Sequence, residues 1–180
     1  MQRTIKYILY IFIATVFFTN CGDDTSLQRY YVDNQEAKNF ITQDLPLSMI
    51  EIDKSNFTEA QKEAYNSVNK LNFLGYKFSE IDIDTYNAEI AKVKAILSDG
   101  KYNDLMEFSD SGNKIVVKYV GDDDQADEVV VFGNAKDMGF AIVRILGNDM
   151  SPEKMVTLIS AFQNANVGEK QVQDIMNFFK

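Results

Sequence analysis

Polar and apolar positions alternate in two different periods along this chain. Thr58-Glu59-Ala60-Gln61 carries the pattern of a capping box, in which hydroxyl and amide satisfy each other's orphan backbone donors. Ala60, Ala64, Val68 and Leu71 follow at helical spacing. A second helix is predicted to start at Asp84 or Thr85, with Tyr86, Ile90, Val93 and Leu97 along one face and Gly100 just past its end. Between them, Leu71 to Phe78 reads as a short aromatic strand around Gly75. The centre then turns to β-branched and aromatic runs: Leu105 to Phe108, Lys114 to Val120, Glu128 to Phe132 and Gly139 to Leu146. Short polar loops separate them, which predicts an antiparallel meander. Val129-Val130-Val131 and Ala141-Ile142-Val143 lack polar alternation, as central strands covered on at least one face do.

Helical spacing returns after Ser151-Pro152, with Met155, Leu158, Ile159 and Phe162 on one face. A break at Asn166-Val167-Gly168 precedes a last stripe of Val172, Ile175, Met176 and Phe179. Earlier, Phe40 to Gln43 suggests a short strand, and Pro46 with Leu47, Met49 and Ile50 a helical turn. The expected fold is α+β: a two-layer sandwich, with an antiparallel meander sheet of four to five strands and helices packed against it. One domain over 39–180 accounts for all of these elements.

The N-terminus follows a different logic. Arg3 and Lys6 precede an apolar run from Tyr7 to Phe18, too short for the roughly 20 residues of a membrane-spanning helix. A cationic start, an apolar segment and then Cys21, the single cysteine, make a secretory signal over 1–20. The pattern resembles a bacterial lipoprotein signal, although Asn20 and Phe18 stand where smaller or aliphatic residues are usual. That resemblance implies acylation of Cys21, which becomes the new N-terminus and attaches the chain to a membrane by lipid. The alternatives are a plain secretory signal cut nearby or an uncleaved anchor. Residues 21–38 read as a flexible acidic tether, of which fifteen residues reach about 50 Å when extended. Tyr30-Tyr31-Val32 interrupts its polarity, as an edge strand or a first contact with the domain. Asp23 and Asp24, just after the acylated position, resemble the surface-export signal of Bacteroidetes lipoproteins; the other reading is a solvated linker. The expected location is the cell envelope, at the outer membrane, on its periplasmic face or the cell surface.

From Cys21 onward the chain carries 16 basic and 27 acidic side chains, a net charge of −11. That balance disfavours nucleic acid and anionic headgroups as partners. The sequence contains no His, and its one Cys is assigned to the lipid, so neither a Ser-His-Asp or Cys-His nucleophile nor a His/Cys zinc site can be built. GxxxxGK[ST] and GxGxxG motifs are absent as well. No cofactor is expected, and an envelope protein is the expected kind of partner.

Two acidic clusters are candidate sites. Around Gly121 to Glu128, the carboxylates Asp122, Asp124, Asp127 and Glu128 offer oxygen ligands for a metal, but Ala126 stands where a calcium loop needs a third ligand. The alternative is a solvated hairpin turn. In Glu80-Ile81-Asp82-Ile83-Asp84, carboxylates alternate with isoleucines, as an acid/base pair or as caps of the following helix. Tyr30, Tyr31 and Tyr65 fall in polar contexts, where aromatic faces can bind sugars or peptides. Met155, Phe162, Met176, Phe178 and Phe179 form either a core stripe or an adaptable groove.

The signal with its Cys, Asn-Phe-Ile-Thr-Gln-Asp-Leu-Pro, the strand-rich centre and the Ser-Pro-Glu-Lys helix together resemble small Bacteroidetes envelope lipoproteins containing the domain of unknown function numbered 4252. The resemblance implies an envelope location and a compact α+β domain, and it implies no reaction. The reading favoured is a lipid-anchored binding or interaction module. The alternatives are a carboxylate-based metal-binding protein or hydrolase, and an envelope stress or sensory lipoprotein.

Overall fold

The structure, a computed structural model, describes residues 26–50, 52–110, 112–135, 137–163, 177 and 179. The signal segment, Cys21, Asp23, Asp24 and the stripe residues Val172, Ile175, Met176 and Phe178 lie outside the described residues.

Six strands form one antiparallel sheet: β1 (Phe40–Pro46), β2 (Val68–Lys77), β3 (Asn103–Asp110), β4 (Asn113–Gly121), β5 (Ala126–Ala135) and β6 (Gly139–Gly147). Their spatial order is β1-β2-β6-β5-β4-β3. The meander of β3 to β6 is as expected. The count of four to five strands is corrected to six, because β2 pairs with β6 from Val68 to Lys77 and β1 adds itself outside β2. Val68, expected on a helix, belongs to β2, as does Leu71, where the helical spacing overlaps the expected strand: the helix opened by Thr58 ends at Asn66, and Ser67 turns the chain.

Four α-helices accompany the sheet among the described residues: α1 (Leu27–Asp33), α2 (Glu59–Asn66), α3 (Ile83–Leu97) and α4 (Pro152–Gln163). The two-layer arrangement is corrected, because the helices divide between the two faces. Alternate residues of the same strands feed two separate cores. Val130 and Phe132 of β5 with Phe140 and Ile142 of β6 pack under α1 and α3. Val129 of β5 and Ile145 of β6 point the other way, toward α2 and α4, which supply Ala64, Tyr65, Met155 and Leu158. A strand buried on both faces has no polar side to show, which is why Val129-Val130-Val131 of β5 and Ala141-Ile142-Val143 of β6 lack polar alternation.

The capping box at Thr58 is formed: its hydroxyl accepts from the Gln61 amide, and the Gln61 side chain accepts from the Thr58 amide. Leu47–Met49 forms one 3-10 turn after Pro46, near the expected helical turn.

Part of the expected tether is folded. Residues 27–33 form α1, capped by the Ser26 hydroxyl, which accepts from the Arg29 amide at 3.2 Å. Leu27, Tyr30 and Tyr31 are buried in the α1/α3 core. A helix of seven residues is well below the length that holds in water alone, so α1 exists because that apolar face is buried. The flexible stretch expected over 21–38 is shortened accordingly.

The β5–β6 turn depends on glycine. Gly139 has φ +130°, and a Cβ there would meet the Tyr76 carbonyl oxygen of β2 at 1.9 Å. Gly139→Ala therefore forces β6 away from β2 at its first pair. We expect a loss of at least about 1 kcal/mol, within the range of backbone-strain substitutions, read as a lower urea midpoint with an unchanged slope.

Candidate functional site

The most distinctive chemistry lies beneath α1. Arg144 stands on β6 inside an otherwise apolar run and is buried. Its guanidinium donates to both carboxylate oxygens of Glu128 on β5, from Nε at 2.7 Å and Nη2 at 2.9 Å, and Nη1 donates to the Gln28 side chain of α1 at 2.9 Å. Burial works against the charge of Arg144, but the two-pronged bond to Glu128 outweighs it and holds the guanidinium above its ordinary pKa.

Beside it, Asp44 of β1 accepts from the Tyr31 hydroxyl at 2.9 Å and from the Asn72 side chain of β2. Burial first, and then the bond to Asp44, push the Tyr31 phenol up to about 12. Tyr30 reaches across to α3, where its hydroxyl donates to Glu89 at 2.7 Å. Its phenol is raised too, by burial above all and then by that carboxylate. Lys92 donates to the other Glu89 oxygen at 2.6 Å. Every residue of α1 that faces inward thus carries a polar or apolar partner from the sheet or from α3. Tyr76, deeper in the same core, stacks on Phe140 with ring centroids 5.2 Å apart, and its hydroxyl has no hydrogen-bond partner among the described residues.

A groove of about 580 Å³ opens to solvent between α1 and α3. Tyr30 and Ile96 line its apolar part, and Arg29, Asp33, Lys92 and Asp99 supply its charges. Arg29 pairs with Asp33 at 3.0 Å.

The sequence-level candidates are dispersed. Glu128 faces inward to Arg144, whereas Asp122 and Asp124 stand on the exposed β4–β5 hairpin. That hairpin is closed by the Asp122 amide donating to the Gln125 carbonyl at 2.8 Å, and by the Tyr119 hydroxyl donating to Asp123 at 3.1 Å. Asp127 is exposed beside it. Among the described residues, no group of three or more Asp, Glu, His or Cys side chains is arranged to hold a metal ion. Glu80 and Asp82 lie on an exposed 3-10 turn, and Asp82 takes the position before α3 without a side-chain capping bond. Tyr65 is buried and donates to the Leu47 carbonyl at 3.2 Å. Met155 is fully buried and Phe162 packs against the same core, so this part of the stripe is core. Phe179 reaches the sheet: its ring lies 3.0 Å from where a Cβ on Gly75 would stand.

One signal in the sequence points to the Arg144 network: a single arginine inside a β-branched run has to find an acid on a neighbouring strand. Removing one partner of such a pair strands the other charge. Glu128→Leu and Arg144→Met alone should each cost about 3–5 kcal/mol, and the double substitution much less than their sum. Chemical denaturation of the four proteins measures this.

The family model "Domain of unknown function (DUF4252)" matches residues 30–158. The match begins inside α1 and ends inside α4, so it takes in the whole sheet and the Arg144–Glu128 pair, with Gln28 just before its start. No curated protein and no solved structure matches the chain. With most of its length matched, the chain belongs to the DUF4252 family.

Proposed function

We propose that this chain is a lipid-anchored protein of the cell envelope, of the Bacteroidetes type, and that its folded domain is a non-catalytic binding module. The observation that carries the reading is the order of features at the N-terminus: Arg3 and Lys6, an apolar run to Phe18, the single Cys21, and a folded domain that starts at α1. A signal of that kind exports the chain, and acylation of the cysteine holds it afterwards. Asp23 and Asp24 follow the cysteine as a surface-export signal or as a solvated linker, which places the domain on the cell surface or on the periplasmic face respectively.

The domain chemistry supports binding over catalysis. With no His in the sequence and Cys21 acylated, the usual nucleophiles and their bases are missing. The carboxylates around the α1 layer, buried Glu89, half-buried Glu128 and exposed Asp44, are all engaged in structural bonds. The α1/α3 groove is a concave surface with an apolar part and convergent polar groups, as a binding site is expected to be.

Metabolic labelling with a tagged palmitate analogue tests the anchor. Wild type should take up label, and Cys21→Ala should take up none. Wild type without label would contradict the reading.

A further inference from the structure

We infer that the α1–α3 layer is the face this domain turns to the bilayer, and that its groove receives zwitterionic phospholipid headgroups. The inference rests on the acylation proposed above and adds an orientation and a ligand class to it. Its first support is chain length. Because α1 is part of the core, the connection from Cys21 to Ser26 is five residues, which span at most roughly 17 Å when extended. A tether of 50 Å leaves a domain free to tumble, whereas one of 17 Å keeps its attachment point at the headgroup layer. Ser26 is where the chain enters the domain, and it lines the α1/α3 groove. Whatever else the domain does, that groove is the part its anchor draws to the membrane, while α2 and α4 lie across the sheet on the other side.

Charge supplies the second support. A mature net charge of −11 repels an anionic lipid surface. The groove itself is balanced: Arg29 and Lys92 are matched by Asp33 and Asp99. Arg29 and Lys92 have side chains 59% and 60% exposed, so both can exchange an intrahelical partner for an external one at little cost. A headgroup that carries a phosphate beside an ammonium presents the same alternation of signs. It can be bound without the net repulsion an anionic headgroup meets.

The sequence has one cysteine, and acylation consumes it, so a cysteine introduced elsewhere is the single thiol available to a spin label. The full acylated protein is reconstituted in phosphatidylethanolamine–phosphatidylcholine vesicles doped with a nickel-chelating lipid. Labels are placed at Ser98→Cys, in the groove, and at Glu59→Cys, on α2. Relaxation enhancement at 98 should exceed that at 59 several-fold. It should fall when phosphatidylglycerol replaces the zwitterionic lipid, and also in Arg29→Ala/Lys92→Ala, with flotation unchanged. Equal enhancement at both positions, or an enhancement that rises with phosphatidylglycerol, overturns the inference and leaves the anchor intact. A chain that does not float with vesicles, and takes up no palmitate, overturns both.

Discussion

A buried arginine in a central strand constrains everything around it. Arg144 sits on β6, with β5 on one side and β2 on the other. Left alone there, its charge would cost several kcal/mol. Glu128 on β5 answers the charge, and Gln28 takes a further donor from above. Gln28 belongs to α1, so the arginine fixes where that short helix lies. Asp44, drawn in by Tyr31 and Asn72, ties edge strand β1 and α1 to the same place. Leu27, Tyr30 and Tyr31 supply the apolar burial, and the polar contacts supply the registration.

The two-sided sheet follows from the same economy of burial. Each of β5 and β6 presents side chains to both faces, and each face is closed by its own pair of helices. Coverage thins toward β3, where Phe108 and Ile115 are both more than two-fifths exposed. Acidic Asp104 and Glu107 on that edge strand oppose pairing with another sheet.

Local signals were legible where local physics decides. The capping box at Thr58, the stripe of α3 and the four meander strands are each set by neighbours a few residues away. What the chain hid was set by contacts distant in sequence. Val68 and Leu71 have helical spacing from Ala64, yet pairing with β6 draws them into a strand. Leu27, Tyr30 and Tyr31 sit in a polar stretch that reads as linker, and their burial depends on Ile96, Leu74 and other residues much later in the chain. Val129-Val130-Val131 and Ala141-Ile142-Val143 indicate coverage without saying on how many faces. Glu128 read as one acid among several at 122–128, because nothing local reveals that it points inward while Asp122 and Asp124 point out.

The placement of α1 links fold to function, since it makes the connection to Cys21 short and turns one face of the domain toward the anchor. Residue-resolved hydrogen exchange on the native full chain tests that placement most directly. The account predicts that the Tyr30 amide, which donates to the Ser26 carbonyl at 2.9 Å, exchanges at a rate close to that of the β6 amides. Exchange of Tyr30 at the rate of an unstructured chain, with β6 still protected, would contradict it: α1 would then be part of a long tether, and the arginine beneath it would face water.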